Sequence, residues 1–244
     1  MITVSEEFKT AMKTPGREAK AYLNDSGNMI NQDDDLQTIK LTASSSICKT
    51  VMRGAVVTYL GSHNYLDKYV NLGLGVVLPN ESIEYLDYGS FKVVKVETNK
   101  ANASSKITLY DKMYEALQPY DLEPIYDITY PTTVLGLLEA ICVRFSWTLA
   151  TTEFPNDDYG IPADLFLDQK LTFRDVLEQI AEVSGAIIEF NNSDELVVRN
   201  ISDTILETLD KNSLNKLILE PTYGPITSVV LSRQPQEDNI AQTI

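Results

Sequence analysis

The sequence is short of the residues on which most catalytic and metal chemistry depends. There is one His, one Trp and two Cys in 244 residues. A Ser-His-Asp triad or a multi-histidine metal site would have to be built around His63, which lies in the loop-like run Gly61-Ser62-His63-Asn64. No G-x-S-x-G elbow or H-E-x-x-H pattern is present, and no Cys lies near the His. Cys48 and Cys142 are isolated and outside any C-x-x-C, so they read as small buried hydrophobes. No apolar run approaches the roughly twenty residues that cross a bilayer. The start, Met1 to Glu7, lacks the basic and apolar regions of a signal peptide, which predicts a protein made in a cytoplasm.

Basic residues are scarce too. Lys and Arg number 20 against 35 Asp and Glu, a formal charge of −15. Nucleic-acid binders displace counterions with Lys and Arg, so this balance argues against sequence-specific DNA or RNA binding. It does not bar DNA from passing close by, because a repulsive lining would keep it from sticking.

What is present suits a globular protein. Hydrophobic residues make up 43 % and charged residues 23 %, and a chain of this length buries roughly three quarters of its unfolded surface without disulfides or metals. The thirteen Tyr favour half-buried strands and contact surfaces.

Ser5 caps a predicted short helix with Phe8, Ala11 and Met12 on one face, ended by Pro15-Gly16. From about Ala19 to Tyr110 the pattern is of strands: Ala21 to Leu23, Met29-Ile30, Leu36 to Leu41, Val51 to Leu60, Leu74 to Leu78, Phe91 to Glu97 and Lys106 to Tyr110. The doubled Val93-Val94 marks a bulge, and Ile107 and Leu109 share a face. Short strands spaced by turns predict a barrel or sandwich. Asp111 caps a short helix that Pro119 stops.

Between about Tyr120 and Asp210 the pattern changes. A threonine after Pro131 caps a helix with Val134, Leu137, Leu138, Ile141, Cys142 and Phe145 inward, followed by a strand, Trp147 to Ala150. A polar loop, 153–163, leads to a second helix. It has a capping-box start at Thr172 and Asp175, an inner face of Val176, Leu177, Ile180 and Ala181, and a stop at Gly185. A hairpin follows, Ala186 to Phe190 and Glu195 to Arg199 about the turn Asn191 to Asp194. The two helix-strand units echo each other, Thr133 with Leu138 to Ile141 and Thr172 with Leu177 to Ile180. Lys216 to Leu219 and Ile226 to Ser232 return to strands. The tail from Arg233 reads as the start of another element of a longer polypeptide.

The remaining chemistry is thin. Leu72-Gly73-Leu74-Gly75 lacks the Gly-Lys-Ser/Thr of a phosphate loop and reads as a flexible strand start. Asp33-Asp34-Asp35 and Asp157-Asp158 are the best candidates for a hard cation, but neither has calcium-loop spacing, and solvated loop acids explain them. Trp147 and the tyrosines could stack on sugars, although core and interface roles are commoner. No carboxylate pair stands out for glycoside hydrolysis. No catalytic, cofactor or metal residue is nominated, and the chain reads as a non-enzyme without cofactors.

Four stretches in order carry a family resemblance. They are Leu86-Asp87-Tyr88-Gly89-Ser90-Phe91-Lys92-Val93, Ile107 to Met113, Leu171 to Ala181, and Val229 to Asn239. Together they resemble the amino-terminal hub region of phage tail-tip proteins, meaning tail-associated lysin and endopeptidase proteins and the baseplate hubs of contractile machines. The resemblance implies a tube-type antiparallel β-barrel (1–118, with the N-terminal helix), interrupted by a small inserted α+β domain (119–210), and the first strands of a second ring-forming barrel (211–244), a β-rich α+β fold. It implies a structural hub or adaptor of a tail tip or baseplate in the virion. Such a hub is a homotrimer whose pseudo-sixfold ring joins the tail tube to the tip. Its neighbours would be a distal tail protein and tail tube or tape-measure proteins. The loop 153–163 is the expected place of partner contact. Two other classes stay open, a host-surface carbohydrate or protein binding module and a cell-wall hydrolase module.

Overall fold

The computed structural model describes residues 4–200 except 15, 26–27, 32–34, 45, 62–64, 121–130 and 163–169. All described residues belong to one compact unit, Met1–Ser202. The predicted strands at Lys216 to Leu219 and Ile226 to Ser232, the stretch from Val229 to Asn239, His63, Asp33 and Asp34 lie outside them.

The fold is α+β and β-rich, as its patterning predicts. Seven strands form one antiparallel sheet: β1 (Ala19–Asp25), β2 (Asn28–Asn31), β3 (Leu36–Ser44), β4 (Met52–Leu60), β5 (Tyr69–Val77), β6 (Ile83–Asn99) and β7 (Ser104–Tyr110), in the order β2-β1-β5-β6-β7-β4-β3. β3 curls back to within 8 Å of β1, so the sheet is an open barrel. Its interior follows the period of two. Leu23, Val57, Tyr59, Leu72, Phe91, Val93, Ile107 and Leu109 are almost fully buried, each contributing about 1.5–3 kcal/mol.

β6 is longer than its predicted core, Phe91 to Glu97, and pairs with β5 through its first half and with β7 through its second. Two bulges turn it. The register slips between Val93 and Lys95, at the predicted Val94. It slips again opposite Leu72, where Gly89 has φ +85°. β5 also exceeds its predicted bounds, which corrects the reading of Leu72 to Gly75 as a flexible strand start. Gly73 and Gly75 sit mid-strand because tyrosines lie over them: a Cβ on Gly73 would stand 2.1 Å from the Tyr22 ring, and one on Gly75 2.7 Å from the Tyr85 ring. Those two rings meet edge to face at 4.9 Å.

The first helix, α1 (Glu6–Lys13), is capped by Ser5 and packs Phe8 and Ala11 on Val76 and Leu78. Met12, predicted to share that face, is 41 % exposed, and Lys13 is already the last helical residue. The segment after Asp111 is a 3-10 helix, Lys112–Leu117, which buries Met113 and Ala116 in a second core.

That second core belongs to the α+β segment. Helices α2 (Val134–Phe145) and α3 (Phe173–Ser184) start at Thr133 and Thr172 and stop in left-handed residues, Ser146 at φ 56° and Gly185 at φ 59°. The echo between the two units is thus physical, with the same cap at each end of two 12-residue helices. Asp175 closes the predicted capping box. The predicted inner faces are buried, with Phe145 only partly so. Two short strands, β8 (Thr132–Thr133) and β10 (Gly160–Ile161), pair with each other. The others, β9 (Thr148–Leu149), β11 (Ala186–Phe190) and β12 (Glu195–Asn200), form a sheet in the order β11-β12-β9, with β9 parallel to β12. Among the described residues no helix is long and apolar enough to cross a membrane.

Candidate assembly site: the seam between barrel and α+β segment

Three contacts lock the barrel to the α+β segment. At the first, Arg53 comes from β4, where it shares the interior parity of Ala55, Val57 and Tyr59. Its backbone N–H and its Nε donate to Asp111 Oδ2, at 3.0 and 3.1 Å. Its Nη1 donates to the Tyr88 carbonyl (2.9 Å) and to Asn192 Oδ1 (3.1 Å), and Nη2 to the Asn191 carbonyl (3.3 Å). The guanidinium lies 5.5 Å from the centre of the Phe91 ring. The planar fork suits this task, since its donors reach a carboxylate and carbonyls at once. Asp111 is 1 % exposed and also accepts from the Met113 N–H. Burial pushes its pKa up, against the pull of Arg53 and the Met113 amide.

The hairpin turn after β11 completes this latch. Asp194 Oδ1 accepts from the Ser90 N–H at 2.8 Å, Asn192 Nδ2 donates to the Asp87 carbonyl, and Lys112 Nζ donates to the Asp194 carbonyl. Gly89 allows the approach: a Cβ there would stand 2.7 Å from Asp194 Oδ1. The glycine of the Asp87-Tyr88-Gly89-Ser90-Phe91 motif therefore has two physical reasons, its positive φ and the backbone it lets in.

At the second contact, the link between β3 and β4 joins the other sheet. Val51 N–H donates to the Ile188 carbonyl (2.8 Å) and Ile188 N–H to the Lys49 carbonyl (3.2 Å), a parallel bridge beside β11. Thr50 Oγ1 links Arg174 Nε and Glu178 Oε1 at 3.0 and 3.1 Å, and Lys49 pairs with Glu178 and Glu182 of α3. At the third, the Glu115 carboxylate accepts from Tyr69 OH of β5 and from Trp147 Nε1 (2.8 Å). Burial first, and the Glu115 contact after it, raise the Tyr69 pKa.

The residues weighed for chemistry fall elsewhere. Trp147 is 7 % exposed, a core residue rather than a sugar platform. Cys142 is buried, its thiol pushed up to about 12 by desolvation, whereas Cys48 is only half-buried, which corrects its reading as a buried hydrophobe; both are free. Asp35 is exposed. The loop 153–163 is more tied down than its composition suggests. Phe154 and Ile161 enter the core, the Asp157 and Tyr159 carbonyls accept from the first amides of α2, and Asn156 bonds the Val183 carbonyl. Its exposed part holds Glu153, Asp158 and Tyr159. Among the described residues no three His, Cys, Asp or Glu converge as a metal site.

Arg53 escaped the sequence reading, although an arginine at interior parity in an apolar strand signals a buried acceptor. Asn192 and Asp194 were read only as a turn.

No family model and no curated protein matches the chain. Solved structures do. The 43 kDa tail protein of prophage MuSo2 from Shewanella oneidensis superposes with a TM-score of 0.51 over 78 % of this chain, at 13 % identity. The chain shares its fold with a prophage tail protein. The Francisella PdpA-VgrG complex also matches, with a TM-score of 0.51 over 78 % of this chain, at 9 % identity. The chain covers 58 % of the first of those chains and 33 % of the second. At these identities the likeness is one of fold.

Proposed function

We propose that this protein is a structural subunit of a phage-type tail tip or baseplate in the virion, a hub whose trimer forms a pseudo-sixfold ring joining the tail tube to the tip. The observation that carries the reading is the open barrel with its α+β segment, a fold that 78 % of this chain shares with the MuSo2 tail protein. The two end strands of the sheet, β2 and β3, each pair on one side only among the described residues, which supplies edges for neighbouring subunits. The buried polar groups of the seam are engaged in holding two cores together rather than turned toward a substrate. A division into 1–118, 119–210 and 211–244, with a second barrel beginning in the last, belongs to this reading. So do a distal tail protein and tube or tape-measure proteins as neighbours, and a lumen acidic enough to let DNA slide.

Light scattering across a concentration series tests it. A mass near three times 27.3 kDa, with ring-shaped particles in electron micrographs, is the expected result. A monomer that binds glycans or degrades peptidoglycan would replace this reading with a binding module or a hydrolase.

A further inference from the structure

The charge of this chain is unevenly spread. Residues 119–200 carry fifteen acidic and four basic side chains, whereas residues 1–118 carry fourteen and thirteen. Four of the eleven lysines in residues 1–118, Lys40, Lys92, Lys95 and Lys106, lie on one surface of the sheet. Register places Lys40 of β3, Val56 of β4, Thr108 of β7 and Lys95 of β6 in one row across the sheet. Thr38, Thr58, Lys106 and Glu97 form the next row, and Thr42, Gly54, Tyr110 and Lys92 the third. These residues alternate with the buried Val57, Ile107 and Leu109, so they occupy the outer face. Lys40, Lys95 and Lys106 are exposed and Lys92 is half-buried. The one acid among the twelve, Glu97, is ion-paired with Lys95 at 2.9 Å, and that contact lowers its pKa, with a smaller pull from Lys106. The face is thus basic in a chain whose net charge is −15.

The complementary surface lies on the α+β segment. Glu139 and Val143, one turn apart, face solvent on α2, and the loop beside the start of α2 exposes Glu153, Asp158 and Tyr159. Val143 and Tyr159 are 62 % and 61 % exposed, among the most exposed large apolar side chains described. Acids around exposed apolar groups are what a threonine-lysine sheet face can cover, with rim charges setting the docking partner.

We infer that the lysine face of one copy, centred on Lys40, Lys95 and Lys106, docks on the acidic α2 and 153–159 surface of a second copy. The two patches differ, so the contact is heterologous and repeats head to tail, the kind of contact that builds a ring when its rotation closes. A phosphate backbone is the poorer occupant. The face carries no arginine, and the acids elsewhere on the chain repel a polyanion. The inference rests on the subunit reading above but fixes which surfaces meet.

The test uses the whole chain and measures sedimentation at salt from about 50 mM to about 500 mM, across which exposed charges become screened. Association of the wild type weakens with salt. Lys40→Glu/Lys95→Glu/Lys106→Glu weakens it at least about tenfold, and so does Glu139→Lys/Glu153→Lys/Asp158→Lys. Mixing the two variants restores pairwise association, because the unaltered acidic surface of the first meets the unaltered lysine face of the second. Far-UV circular dichroism, with Lys→Ser versions of the first set, separates loss of docking from loss of fold. Trimers indifferent to salt and to both variants would overturn the docking while leaving the hub reading intact. Monomers under all conditions, with no association in the mixture, would overturn it too. Retention of duplex DNA by the wild type but not by the Lys→Glu variant would reassign the face to phosphate.

Discussion

The Nε of Arg53 stands 3.1 Å from Oδ2 of Asp111, a carboxylate that also caps the 3-10 helix through the Met113 amide. One ion pair therefore joins β4 of the barrel to the helix that seeds the second core. Arg53→Ala leaves the carboxylate buried without its cation and is expected to cost about 3–5 kcal/mol. Chemical denaturation measures this. Burial already holds the Asp111 pKa above the ordinary value, and removing Arg53 raises it further. A group with a raised folded pKa favours the fold when protonated, so the deficit of Arg53→Ala is smaller near pH 4.5 than at pH 7.5. Arg53→Lys falls between, because an ammonium cannot reach Asp111, Tyr88 and Asn191 together.

Gly89→Ala strains a residue at φ +85° and sets a Cβ 2.7 Å from Asp194 Oδ1. The expected loss is about 1–3 kcal/mol. Hydrogen exchange locates it: the Ser90 amide, bonded to Asp194 at 2.8 Å, exchanges faster while the amides of β7 keep their protection.

Gly73→Ala drives a methyl to 2.1 Å from the Tyr22 ring and is expected to destabilise by about 1–3 kcal/mol. In a Tyr22→Ala background the same substitution costs far less. A double-mutant cycle by thermal or urea unfolding reads the coupling, and additive losses would contradict the packing described here.

Thr172→Ala removes one half of the α3 capping box and is expected to cost about 1 kcal/mol. The other half is acid-sensitive. Bonds from the Thr172 backbone N–H and hydroxyl lower the Asp175 pKa below its ordinary 3.8. A depressed folded pKa stabilises the fold above the unfolded value, and that contribution fades as pH falls below 3.8. Asp175→Asn therefore flattens this part of the acid-unfolding curve, which titration followed by circular dichroism detects.

Local chemistry was legible in the sequence wherever the cause was local. Thr133, Thr172 and Gly185 announce their helix ends through side-chain oxygens and a free φ, and the doubled Val93-Val94 announces a bulge by breaking the alternation. Gly73 and Gly75 misled because their cause, the rings of Tyr22 and Tyr85, sits on neighbouring strands. Met12 misled because the apolar patch that α1 meets, Val76 and Leu78, takes in Phe8 and Ala11 and leaves Met12 41 % exposed. The seam was the least legible part. Arg53 meets a turn 138 residues further along the chain, and pairing at that range leaves no trace in either segment beyond a charge on an apolar face. The fold class follows from period and turns, whereas the surfaces that would meet a neighbour emerge only when register aligns Lys40, Lys95 and Lys106.

The bridge between Thr50 and Ile188 also sets an order of events during biosynthesis. A ribosome adds ~5–20 residues per second, so Ile188 emerges on the order of ten seconds after Thr50. In that interval β1 to β7 can pair among themselves, while the strip from Lys49 to Val51 waits with open hydrogen-bonding groups. A barrel paired in that interval would offer the α+β segment a template to fold against. Any surface that needs both the barrel and the later segment is thus complete only after both have been translated.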